Sequence, residues 1–217
     1  MTNDQESKYR WFIVTLAALT MAFVVAIPEM CMPVLFKEIS NDLGLSLVQL
    51  GTVWGMIGLG GVFTCIAGGL IGDRFGTKRT ISVACILAGI AGASRGLSGS
   101  FMGLTATMFI FGILVMTLTL NIHKSAGVWF SGRQVVIANG IVATGIALGF
   151  MAGAMISDTI MSPLLGGWKN VLFFYGAVSI IMGLIWIMTR RESAHGGITH
   201  PANGEPFCRT LARVVRI

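Results

Sequence analysis

Glu29 is the residue of this 217-residue chain whose type and position most clearly invite chemistry. It follows Pro28 and interrupts an apolar run, Trp11 to Phe36, that holds no other charge. An acid at the centre of a bilayer costs about 2.5–3.5 kcal/mol on insertion scales. Glu29 lies about 8 Å to the outer side of the run's centre at ~1.5 Å per residue, which lowers that cost. The functional reading is a proton acceptor or cation contact near the mouth of a cavity, with Pro28 freeing a backbone carbonyl nearby. The plainer reading is an interfacial acid paired with Lys37 or Arg95. Trp54, in the second apolar run, either lines a cavity or anchors packing, and packing is the simpler expectation. Asn121, His123 and Lys124 close the fourth run and could meet an anion, although a basic loop explains Lys124 equally well.

A second constellation reads Gly69-Leu70-Ile71-Gly72-Asp73-Arg74-Phe75-Gly76-Thr77-Lys78-Arg79. Gly69 and Gly72 permit close backbone approach at a helix end. Gly76 permits a tight turn with positive φ. Arg74, Lys78 and Arg79 hold the segment at an anionic membrane surface. Asp73 is a lone acid among them, able to pair with a base or sit at a helix N-terminus.

The elements that must position these residues follow from composition. The chain is 54% hydrophobic and 11% charged, where a soluble domain carries about 25% charged residues. That excludes a disordered or collagen-like chain and a disulfide-stapled module, and argues against a soluble enzyme. The net charge of +6 is read against a membrane rather than nucleic acid, because cytoplasmic loops collect Lys and Arg. Cys31, Cys65, Cys85 and Cys208 show no metal-ligand spacing and read as small buried hydrophobes. His195 and His200 sit in a polar tail. No metal and no cofactor is expected.

A helix needs about 20 apolar residues to cross a bilayer. The charge gaps place six such helices near 11–36, 47–72, 80–98, 101–122, 135–157 and 170–189. The runs are continuously apolar rather than alternating, so the fold class is an all-α membrane protein and not a β-barrel. The first span exceeds a signal-peptide core. Residues 1–10 form an N-terminal extension, 11–189 the bundle and 190–217 a basic tail. Arg95, in the last turn of the weak third span, is expected to snorkel outward, and both it and Asp158 to be solvated near the outer surface. With the N-terminus inside, twelve Lys and Arg face the cytoplasm and Lys37, Arg95 and Lys169 face out. Both termini are therefore expected to be cytoplasmic, in an inner or plasma membrane.

The loop after the second span resembles the signature loop of the major facilitator superfamily of secondary transporters. Three weaker likenesses agree: Asn41-Asp42-Leu43-Gly44-Leu45-Ser46 before the second span, Val128-Trp129-Phe130 before the fifth, and Gly167-Trp168-Lys169 with Phe173 and Gly176 at the start of the sixth. The resemblance covers residues 10–191. It implies an N-terminal six-helix bundle with a 3+3 inverted repeat, moving a small solute across the bilayer by alternating access. It also implies a C-terminal six-helix half as partner. Asp73 would lock contact between the two halves, with Gly69, Gly72, Arg74, Gly76, Lys78 and Arg79 around it. Glu29, Trp54 and Asn121 are the candidate solute or proton positions, and Glu29 alone suggests a coupling proton. The glycines of the second and fifth spans suit either sliding between halves or packing within one.

Two features depart from the family. The chain carries six spans where twelve are usual, and is expected to be a truncated carrier. The alternative is a six-span partner subunit or a remnant without transport. In the fourth span, Met108 stands four residues before Gly112 where many proton-linked exporters of the family carry Arg. A terminal segment, Pro206–Ile217, patterns as an interfacial amphipathic helix. An enzyme reading through Gly96-Leu97-Ser98-Gly99, a rhomboid-type serine motif, fails because each histidine lies about 30 Å away across the hydrocarbon core. No phosphate-binding loop is present for an ATP-driven pump.

Overall fold

Proline and π-helical segments break the first and fifth spans, and their positions decide where the polar residues of the bundle fall. The computed structural model describes residues 3–189, with side-chain environments for 9–64, 72 and 74–189. The elements are α1 (Asn3–Thr20), a π-helical segment (Met21–Ala26), α2 (Ile27–Val34), α3 (Phe36–Leu43), α4 (Leu47–Phe75), α5 (Thr77–Leu97), α6 (Phe101–Trp129), α7 (Arg133–Ile156), a second π segment (Ser157–Met161), α8 (Ser162–Leu165) and α9 (Trp168–Met188). Among the described residues there is no strand. Among the described residues six stretches are long and apolar enough to cross a membrane: Tyr9–Val34, Leu47–Thr64, Thr77–Leu97, Phe101–Trp129, Arg133–Leu165 and Trp168–Met188.

In the first span the Ile27 N–H reaches back to the Ala22 carbonyl, closing the π turn. Pro28, with no N–H to donate, then opens α2. Helix ends follow capping chemistry rather than hydropathy. Ser46 and Gln49 form a reciprocal capping box at the start of α4, and Ser100 accepts the Gly103 N–H at the start of α6. The fourth helix runs on to Trp129, beyond the apolar limit at 122, because charge loss from the bilayer does not end a helix. Its last turn closes where the Phe130 N–H bonds the Ala126 carbonyl. Gly76 is the sole residue between α4 and α5, with φ 85° and ψ 141°, a conformation that glycine adopts without strain.

The packing pattern is its own repeat. α7 lies along the first span, α4 along α6, and α5 along α9. Exchanging spans one to three for spans four to six turns the 1–5 pair into the 4–2 pair and leaves the 3–6 pair unchanged, which is the 3+3 relationship. Glycine sets all three close approaches. A Cβ at Gly145 would stand 2.4 Å from the Ala18 carbonyl oxygen, at Gly112 2.6 Å from the Ile57 carbonyl oxygen, and at Gly89 2.6 Å from the Gly176 carbonyl oxygen. Gly51, Gly55, Gly58 and Gly140 face open space instead. The glycines of the second and fifth spans thus divide between packing inside this bundle and an open face.

One expectation fails outright. Arg95 is not solvated but fully buried, at 0% exposure. Its side chain turns inward between the first, third and fourth spans, where backbone carbonyls and a ring receive it. Asp158 is exposed. Cys31 and Cys85 are buried free thiols. The tail from residue 190, with His195, His200, Cys208 and the amphipathic segment 206–217, lies outside the described residues.

Candidate functional site

The π turn and Pro28 bring Glu29 to the wall of a cavity of about 450 Å³ that also takes in Trp54. Met21 and Val25 come from the first span, Ile57 and Gly58 from α4, Gly112, Met116 and Thr119 from α6, and Ile146 and Phe150 from α7. Spans one, two, four and five therefore share it. Its size falls in the ~300–1,000 Å³ range of small-molecule sites. Thr119 donates to the Val115 carbonyl at 2.8 Å, and among the described lining residues Glu29 is the single formal charge on an otherwise largely apolar wall. Trp54 is 40% exposed and lines the cavity rather than serving packing alone. Met116 and Thr119 were not singled out in the sequence, since nothing in an apolar helix marks which residues face inward.

Behind that wall stands Arg95. Its Nη1 donates to the Pro28 carbonyl at 3.1 Å and contacts Met108 Sδ at 3.6 Å, and its Nε donates to the Gly92 carbonyl at 3.1 Å. The guanidinium lies 4.1 Å from the centroid of the Phe111 ring, a cation–π contact.

Asn121 does not reach this cavity. It is buried, at 1% exposure, and its Nδ2 donates to the Thr117 carbonyl at 2.8 Å. Its carboxamide meets Gly72 instead, 1.8 Å from where a Cβ on Gly72 would stand. His123 Nδ1 pairs with Asn139 Oδ1 at 2.9 Å. In the first turn of α5, Lys78 donates to the Ile187 carbonyl at 3.0 Å and also to the Thr189 carbonyl, tying the start of α5 to the end of α9. Arg74 is exposed beside the Phe75 ring.

At the opposite end of the bundle, two of the weaker sequence patterns meet. Glu38 accepts from Ser162 Oγ at 2.6 and 2.7 Å and from the Trp168 backbone N–H at 3.1 Å. Asp42 accepts from Trp168 Nε1 at 3.2 Å and pairs with Lys169 at 2.7 Å. The hydrogen-bonded Lys169 ammonium, seconded by the Trp168 indole, holds the Asp42 carboxyl below the usual carboxylate range. Glycines with positive φ, Gly166 and Gly167, turn the chain into this clamp.

A family model described as Major Facilitator Superfamily matches residues 8–215. The chain is 27% identical over 197 residues to the probable galactarate/D-glucarate transporter GudP of Bacillus subtilis (strain 168), covering 87% of this chain and 42% of that protein. It is 30% identical over 155 residues to the hexuronate transporter of the same organism, covering 71% of this chain and 36% of that protein. The chain thus spans less than half the length of these relatives. Its fold matches the crystal structure of a bacterial homologue of the human lysosomal transporter Spinster, with TM-score 0.77 and 20% identity, over 96% of this chain and 49% of that one.

Proposed function

The chain belongs to the Major Facilitator Superfamily, and we propose that it is the N-terminal bundle of a secondary carrier moving a small carboxylate-bearing solute by alternating access. Membership places it among multi-pass transmembrane transport proteins. The observation that carries the finer reading is the cavity walled by Glu29 and Trp54 and shared by spans one, two, four and five. The two relatives support the solute class, since galactarate, glucarate and hexuronates all bear carboxylates. In this reading Glu29 and Trp54 face the solute, or its coupling proton, and Asn121 serves the helix contact with Gly72. Both ends of the chain lie in the cytoplasm, in the inner or plasma membrane.

The segment Gly69, Gly72, Asp73, Arg74, Gly76, Lys78 and Arg79 is assigned the conformational switch, meeting a C-terminal six-helix half. The single-residue turn at Gly76 and the Lys78 tie to α9 support that role, because they make the loop a rigid extension of the bundle. The test is uptake of labelled D-glucarate, D-glucuronate and D-glucose by cells producing the chain, alone and with the C-terminal half of a relative. The reading expects saturable uptake of an acid and not of glucose in at least one arrangement. Uptake of neither acid in both would sink it and favour a non-transporting six-span protein.

A further inference from the structure

The Glu29 cavity presents a difficulty for the solute class proposed above. Among the described residues its wall carries one formal charge, and that charge is negative. A carboxylate entering a low-dielectric cavity beside Glu29 would be repelled. The structure holds a compensating charge one layer back. Arg95 is 0% exposed, and no described carboxylate comes within ion-pair distance of it. A buried charge without a partner is costly, so its presence calls for a counter-charge.

Two contacts fix where the charge sits. Nη1 bonds the carbonyl of Pro28, whose neighbour Glu29 lines the cavity. The guanidinium stacks on Phe111, whose neighbour Gly112 lines the same cavity. The guanidinium thus contacts two of the helices that wall the cavity, at positions adjoining its lining residues. Its Nη2 is buried and without a hydrogen-bond partner, leaving donor capacity of the five-donor guanidinium unused.

We propose that Arg95 is the specificity-determining charge of this cavity: held behind the first span at Pro28, it offsets Glu29 and makes the site able to accept a small anion. This rests on reading the cavity as the solute site. Arg95 acts as a positioning residue, through its field and through the backbone that carries Glu29. Arg95 also contacts Met108, so α5 delivers a guanidinium beside a fourth-span position that itself carries no charge.

The test reads the potential inside the cavity and needs no solute. A cysteine replaces Trp54 in the full chain, in nanodiscs. Its modification rates by anionic sulfonatoethyl and cationic trimethylammonioethyl methanethiosulfonate are taken as a ratio, corrected against the parent chain. Arg95→Gln should shift that ratio about tenfold toward the cationic reagent, the scale expected of one nearby unit charge partly screened by salt. Arg95→Lys should hold it within about threefold of the parent. A purely structural role would leave the ratio unmoved in Arg95→Gln while Glu29→Gln still moved it, and that result overturns the proposal. Glu29→Gln supplies a check that leaves Arg95 intact, in case Arg95→Gln does not fold. With Glu29 neutral, the anionic reagent must be favoured relative to a free thiol in solution, and a ratio equal to the free thiol's also overturns the proposal. Failure of uptake alongside a shifted ratio would sink the carrier reading and leave the charge assignment standing.

Discussion

Gly72 and Asn121 are in contact: a Cβ on Gly72 would stand 1.8 Å from Asn121 Oδ1. One belongs to the loop pattern after the second span, the other to the end of the fourth, and the sequence placed them in different roles. The Asn121 carboxamide is buried and held through Nδ2 to Thr117, so it has little freedom to withdraw. Gly72→Ala is expected to destabilise the bundle by about 1–3 kcal/mol, the usual cost of overpacking a filled site. Thermal unfolding in detergent measures it. Adding Asn121→Ala should recover part of the loss, and a double variant no better than Gly72→Ala would show that the contact is not what Gly72 serves.

The glycines divide by what they face, and that division is measurable. Gly145→Ala drives a methyl into the Ala18 backbone, whereas Gly51→Ala meets nothing within 4 Å. The first should cost about 1–3 kcal/mol. The second should be neutral or stabilising by about 0.5–1 kcal/mol, because alanine gives up less backbone freedom in a helix. Equal melting temperatures for the two variants would contradict the packing described.

The clamp between α3 and α9 carries a pH signature. Lys169 lowers the Asp42 pKa in the folded protein relative to its ordinary value of 3.8. A group whose folded pKa is lowered adds stability above its unfolded pKa and loses it as pH falls through the folded value. Between pH 7 and 5 the contribution should therefore be constant, and below about pH 4 it should fade. The effect is small, because the pair is solvent-exposed. Asp42→Asn should lower the melting temperature at pH 7 and flatten its decline in acid. Parallel profiles for parent and variant would remove Asp42 from the account.

Lys78 should behave as a tie rather than a surface charge. Lys78→Met removes its bonds to the carbonyls of Ile187 and Thr189. The expected cost is about 0.5–1.5 kcal/mol, and amide hydrogen exchange in the last turn of α9 should quicken. Unchanged exchange there would contradict the tie.

Composition and charge gaps were enough for the fold class, because spanning a bilayer forces a helix wherever about 20 apolar residues run together. Helix ends were less legible. Phe75 and Trp129 follow polar stretches of sequence, where hydropathy has ended but the helix has not. Glu29 announces itself as an acid in an apolar run, whereas Trp54 reads more simply as a packing aromatic, yet both reach one cavity. Arg95 was misplaced because sequence alone cannot tell a snorkelling side chain from one that turns inward onto Pro28 and Phe111. The clamp was invisible for another reason. Its two halves, Glu38 with Asp42 and Trp168 with Lys169, stand far apart in sequence; Asp42 and Trp168–Lys169 read as separate family likenesses, and Glu38 carries no signal of its own.

In the proposed carrier the Glu29–Trp54 cavity receives the solute. The most direct test is the rate at which a small cationic thiol reagent labels Trp54→Cys in the reconstituted chain, with and without millimolar D-glucarate, D-glucuronate or D-glucose. At least one of the acids should slow labelling several-fold and saturably, and glucose should not. Identical rates under all four conditions would contradict the claim.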